Sequence, residues 1–411
     1  MPQYVHKLCL ILLVFFLSTY SIEMSFLTSV FVILISLQQK VSLDFIQAVF
    51  LISVVAFIGL ISTFFEFESP FIDVIKDIIY FIRPITILLA SYFVVRNIES
   101  TSFVFDTVVS MALIYAIIHL TTVIIYMGDI DSYVYLRTLG GKQNHLEIVA
   151  LIFLFFTPYT SVFKKRRKLI KFIITISFIL YLSRTMFIIL FLFFLGYKGY
   201  LFLDKRLIKG AMFFMLVAVI LSVIISSIET TRDSTGIKKF IYKTQNSFTE
   251  LFESVDTDKI RRDKRRLWEH WRAYEAQKAI EQLDRNGFKA WSIGLGFGPQ
   301  VDLETRVRLD GKFFTEVPSI HNGYVFVLFK TGLLGLAFYL GLIAYMFFKF
   351  QKFRHQENDT VFNRLIIATS LYVFFNSFVI AGFYRPGEFS LFLFAILLAS
   401  REKILISQKS T

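Results

Sequence analysis

Apolar runs of about 18 to 22 residues recur from one end of this chain to the other, each closed by a short polar break. A run of that length matches the hydrocarbon thickness of a bilayer. Inside hydrocarbon every backbone N–H and C=O must be satisfied within the spanning structure itself, and runs this long select helices rather than barrel strands. Charge agrees: only 18% of the 411 residues are charged, while 55% are hydrophobic, 50 of them Phe, with a mean hydropathy of +0.62. A water-exposed surface needs more charge than that. About twelve spans are predicted, near 4–22, 24–38, 44–65, 74–95, 103–127, 144–163, 168–183, 185–203, 208–228, 321–348, 361–382 and 388–406. The fold class is therefore an all-α polytopic membrane protein. The first run has the length of a signal peptide but no small-residue cleavage site, and another span follows at once, so an uncleaved helix is expected. Cys9 is the single cysteine, which leaves no disulfide framework and no thiolate metal site.

The net charge of +13 would suggest nucleic acid in a soluble chain; in a membrane protein it records which side each loop faces. Lys164-Lys165-Arg166-Arg167-Lys168, with Lys171, assigns the loop after the sixth span to the cytoplasm. Alternation then places Gln38–Lys40, Arg96, Lys198–Lys209, Lys349–Arg354 and the C-terminal Arg401 and Lys403 on the same side, and all of these carry basic residues. Ser21–Ser25 and Glu66–Asp73, on the opposite side, carry none. The organisation is helices 1–9 over 1–228, a large external loop over 229–320, and helices 10–12 with a cytoplasmic C-terminus over 321–411.

The loop holds all three tryptophans. Its segment 260–283 reads as a helix with Leu267, Trp271 and Tyr274 on one stripe and Trp268 beside it, entered through Arg261-Arg262-Asp263-Lys264-Arg265-Arg266. A basic entry followed by tryptophans suits an interfacial helix facing anionic headgroups or a phosphorylated lipid; a solvated, charge-laced helix is the other reading. Gly294-Leu295-Gly296-Phe297-Gly298-Pro299 lacks the spacing and the strand–helix context of a dinucleotide fingerprint. It reads as a tight turn that folds the loop back toward the membrane.

Where the loop re-enters the bilayer the chain runs from Glu316 through His321 to Leu336. On an ideal helix Val325, Leu328, Gly332, Gly335 and Tyr339 share the face of His321, and the two glycines would admit a close neighbouring helix. His321 either caps the helix or serves a site there. Among the arginines, Arg184 lies where two apolar runs abut, at the edge of the hydrocarbon, a costly place for a charge without a partner or ligand. Arg137, Arg83 and Arg385 are further candidates. Convergent guanidinium groups suit a diphosphate, whereas snorkelling to the interface is the alternative, above all for Arg385. Lys330 points away from the His321 face, and with Glu147 is expected to pair inside the bundle. No H-E-x-x-H, nucleophile elbow or carboxylate cluster with metal-ligand spacing appears, and Asp129-Ile130-Asp131 reads as a solvated turn.

Asn144-His145-Leu146, the Ser183-Arg184-Thr185 turn, the basic run into Leu267-Trp268, the 294–298 glycine run, and His321-Asn322-Gly323-Tyr324 followed by Gly332-Leu333-Leu334-Gly335 occur in one order. That series resembles the O-antigen polymerase and O-antigen ligase superfamily, over about residues 130–345. The resemblance implies a C-class glycosyltransferase-like bundle with one large periplasmic loop, in a bacterial inner membrane, with its active site facing the periplasm. It implies glycan transfer from an undecaprenyl-diphosphate carrier without cofactor or metal. His321 matches the histidine beside the acceptor, and Arg184 an arginine that binds the donor diphosphate. Arg137 lies where a further arginine is often found. The arginine usually four residues before tryptophan is Lys264 here, so Arg265 or Arg266 takes its place, and Asn322 accompanies His321 in contacting substrate. The usual Asn-Pro-Asn before the sixth span is Lys142-Gln143-Asn144, and a small residue is replaced by Glu147.

Polymerisation of lipid-linked repeat units is the expected activity, since the Phe-, Ile- and Lys-rich usage resembles that of laterally acquired polysaccharide clusters. Ligation of finished polymer to lipid A-core is the alternative. A lipid-linked sugar flippase ranks third, because such transporters show paired halves and no repeat is visible here. Expected partners are the carrier-linked glycan, membrane lipid, and the chain-length regulator and flippase of the same pathway, with no nucleic acid.

Overall fold

The computed structural model describes all residues except 38–39, 66–68, 127–142, 158–163, 232–233, 235, 246–266, 269, 310, 354–359 and 411. Each predicted span coincides with a helix: α1 (Gln3–Ser18), α2 (Ile22–Ser36), α3 (Leu43–Phe65), α4 (Phe71–Asn97), α5 (Thr101–Ile125), α6 (Asn144–Phe156), α7 (Arg167–Leu180), α8 (Arg184–Tyr197), α9 (Lys205–Ser226), then, after the polar loop, α13 (Gly323–Phe348), α14 (Val361–Val379) and α15 (Ser390–Ser410). Six of these, α3, α4, α5, α9, α13 and α14, are long and apolar enough to cross a membrane, and α1, α2, α6 and α8 are shorter apolar helices. The chain is a multi-pass membrane protein.

Helix starts follow capping chemistry. Ser21 accepts from the Met24 N–H, Ser100 from Phe103 and Asp204 from Arg206, each satisfying an amide that the first helical turn leaves without a partner. The core is built around α4, which packs against α2, α3 and α15, and α14, which packs against α8, α13 and α15. α6 is enclosed, with twelve of its residues buried. α9 is the reverse: Gly210 is its one buried residue, so apolar side chains meet the surroundings all round, as on a lipid-facing span.

The loop contains α10 (Gly236–Gln245), α11 (Trp271–Arg285), α12 (Gly287–Ile293) and an antiparallel hairpin, β1 (Val301–Leu309) with β2 (Lys312–Val317). The hairpin is a small addition to an otherwise helical chain. Its sequence signals are the Val301-Asp302-Leu303 alternation and the Asp-Gly pair that ends in Gly311, which takes φ +83°. The register shifts between Asp302 and Val307, and Glu304 there takes φ +50°. Leu267, Trp271 and Tyr274 are buried against protein, and only Trp268, its ring tilted 33° to that of Trp271 at 5.1 Å, is exposed. The basic run 261–266 lies outside the described residues.

Candidate active site at the head of α13

The helix that follows the hairpin is capped by Asn322 rather than His321. The Asn322 Oδ1 accepts the N–H groups of Tyr324 (3.0 Å) and Val325 (3.1 Å), from a backbone at φ −144° and ψ 111°. That oxygen is thereby occupied by the helix cap. Asn322→Ala is expected to cost about 1 kcal/mol of stability, measured as a lowered melting temperature of the purified protein.

Released from capping, the His321 side chain is 48% exposed. Its Nδ1 lies 2.8 Å from Oε2 of Glu275, and the same oxygen accepts the His321 backbone N–H at 3.2 Å. Glu275 is buried on α11. The helix that presents it is well anchored. Tyr274 Oη donates to the Leu303 carbonyl at 2.5 Å, and the buried Lys278 Nζ reaches Glu281 at 2.8 Å and Glu304 at 2.7 Å. Burial alone would lower the Lys278 pKa, but hydrogen bonds and charge from the two carboxylates outweigh it and the net direction is upward. Sequence reading missed Glu275. The available signal was its place, with Lys278, in register with the buried Trp271 stripe, where apolar residues belong.

The glycine run performs the turn expected of it, against a partner that was not expected. Gly294, Gly296 and Gly298 take φ of +80°, +76° and +108°, and α13 is broken at Gly332, φ +63°. Backbone pairs Leu295 N–H to Phe329 O (2.9 Å) and Gly296 N–H to Lys330 O (3.1 Å) lay the turn on that break. A Cβ on Gly294 would overlap the Lys330–Thr331 backbone, and one on Gly332 the Ser292–Ile293 backbone. The space at Gly332 therefore serves the loop, not a neighbouring membrane helix, and Gly335 faces its own Thr331 side chain. Beneath the turn, Asp77 on α4 accepts from the Gly298 N–H (2.8 Å) and pairs with Lys330, whose ammonium also reaches the Pro299 carbonyl at 2.5 Å. Lys330 is thus a buried strut, as its direction on the helix predicted. A cavity of about 210 Å³ opens beside this strut, between Glu23, Asp73, Asp77, Tyr80, Gln300 and Pro318.

Arg184 is the first residue of α8 and is half-buried. Its turn is strained: Leu182 takes φ +46°, which costs a bulky residue about 1–2 kcal/mol. Behind the turn, Ser177 Oγ donates to Glu147 Oε1 (2.7 Å) and lies 2.8 Å from His119 Nδ1, while the His119 ring stacks on Tyr181 at 3.9 Å. Glu147 therefore finds its partner inside the bundle, as expected, and that network backs the arginine turn. The Ser183 side chain makes no cap, so the positive N-terminal end of α8 and the guanidinium occur together. α8 and α13 both pack on α14, which lies between the Arg184 and His321 helices.

The remaining basic candidates divide. Arg83 is buried and its Nη2 donates to the carbonyls of Tyr384 (2.9 Å) and Arg385 (2.8 Å), so it holds a turn rather than a phosphate. Arg137, Arg265 and Arg266 lie outside the described residues. His145 is buried and bonded to Tyr372 at 2.8 Å.

Residues 169–340, from α7 into α13, match the family model of the O-antigen ligases. The chain resembles the O-antigen polymerase and ligase superfamily over a span that contains Arg184, Glu275, His321 and Asn322 but not Arg137. No curated protein matches it.

Proposed function

We propose that this protein is an inner-membrane glycosyltransferase that polymerises undecaprenyl-diphosphate-linked repeat units at the periplasmic face. The observation that carries this reading is the exposed imidazole of His321 at the head of α13, within the matched residues. The donor enters laterally, and its diphosphate sits at the Arg184 end of α8, where a guanidinium and a helix N-terminus both favour phosphate. His321 takes the proton of the acceptor hydroxyl as its oxygen bonds to the anomeric carbon. The bond from that carbon to the diphosphate breaks, and its electron pair leaves with the phosphate, whose developing charge Arg184 stabilises. The carboxylates, amide and phenol around the neighbouring cavity suit sugar hydroxyls.

Ligation of polymer to lipid A-core is the second reading, favoured by the description of the matching family. A gel of envelope glycolipids from a deletion strain separates the two. Core bearing a single repeat unit supports the polymerase; bare core with polymer retained on the carrier supports the ligase. An unchanged ladder is the result that refutes both. Arg184→Ala is expected to slow transfer by about 10²-fold or more, as loss of one preorganised charge-stabilising donor does, with Arg184→Lys intermediate because a point charge lacks the bidentate fork. Initial rates on carrier-linked glycan extracted from the deletion strain check this.

A further inference from the structure

Resting on His321 as the proton acceptor, we infer that Glu275 is the positioning residue of this site, holding the imidazole with hydrogen on Nδ1 and the lone pair of Nε2 turned to the acceptor hydroxyl. One oxygen carries the assignment. Glu275 Oε2 accepts the backbone N–H of His321, a donor that has no alternative role, and the same oxygen lies 2.8 Å from Nδ1. An oxygen already accepting in that direction accepts from Nδ1–H as well, so the other ring nitrogen is the one without hydrogen.

The surroundings argue for more than a chance contact. Glu275 is 2% exposed and His321 is 48% exposed, so the carboxyl is screened from water while the ring it holds is not. A buried carboxyl is costly unless fully hydrogen-bonded, and an apolar residue in the Trp271 register would pack the same helix without that cost. The contact also crosses the molecule's main division. α11 belongs to the polar loop and α13 to the membrane bundle, so the base acquires its orientation only when the loop is docked. In the step itself the acceptor proton moves to Nε2, and the imidazolium that forms keeps its Nδ1–H bond to Glu275, which stabilises the new positive charge. Transfer of that proton to the departing diphosphate or to water restores the starting tautomer.

The test uses purified full-length protein and carrier-linked glycan extracted from the deletion strain. Glu275→Gln is expected to lower kcat by about 10²–10⁴-fold with the apparent KM for the donor within about twofold. His321→Ala combined with Glu275→Gln is expected to be no slower than His321→Ala alone, because residues acting as one unit lose their effects together. A Glu275→Gln protein with wild-type kcat, or a double variant slower than His321→Ala, overturns the assignment. Full activity in His321→Ala overturns it too, and is recognised separately as failure of the underlying catalytic reading. Should Glu275→Gln not accumulate, ¹⁵N-histidine spectra of the wild-type protein decide, with the His321 signals identified by their loss in His321→Gln. An Nδ1–H tautomer supports the inference, and an Nε2–H tautomer refutes it.

Discussion

Replacing His321 by alanine is expected to lower glycan transfer by about 10²–10⁴-fold, the range a positioned general base contributes. The bundle should survive the change. His321 is half out of the protein, and the helix behind it is capped by Asn322, so no packing and no cap is lost. One structural cost is specific. Among the described residues Glu275 keeps the backbone N–H of residue 321 alone, and a buried carboxyl that loses a partner destabilises by about 1–3 kcal/mol. Melting of the purified variant should therefore fall modestly while transfer falls steeply. A polysaccharide ladder of normal intensity at matched protein level would sink the base assignment.

Lys330→Met is expected to have the largest effect on stability, about 3–5 kcal/mol, because it leaves Asp77 as a buried charge without its ion. Asp77 and Lys330 are 6% and 1% exposed at their side chains, and Lys330 also holds the Pro299 carbonyl. Their loss loosens the 294–298 turn from the break in α13, and with it the docking of α11. Activity should thus fall even though Lys330 takes no part in the transfer step. Adding Asp77→Leu to Lys330→Met removes the stranded charge and is expected to recover part of the melting temperature, since a buried ion pair is often replaceable by apolar residues together but not singly. If Lys330→Met melts at the wild-type temperature, the strut is not holding the loop.

Much of the architecture was legible because the bilayer imposes a length on every apolar run. Segments such as 44–65 and 103–127 lie within a residue or two of α3 and α5 for that reason. The glycine run was legible as a turn, because three positive-φ positions in five residues admit little else. The hairpin carries its own local signal, period-2 alternation ahead of an Asp-Gly pair, within a chain whose composition otherwise points to helices. Trp271 is buried against protein, which the sequence left open because an amphipathic stripe does not say whether lipid, water or protein covers it.

By itself the sequence determined which segments form apolar helices, that a histidine stands where the polar loop ends, and that an arginine lies between two apolar runs. Those are consequences of local composition and of the cost of burying charge. Only the tertiary structure decided that Asn322, not His321, caps α13, that Arg83 is spent on carbonyls, and that Lys330 answers Asp77 across more than two hundred residues. It alone paired His321 with Glu275. Hydrogen-bond partners far apart in the chain meet through packing, and no local spacing encodes which of many carboxyls a given imidazole will find.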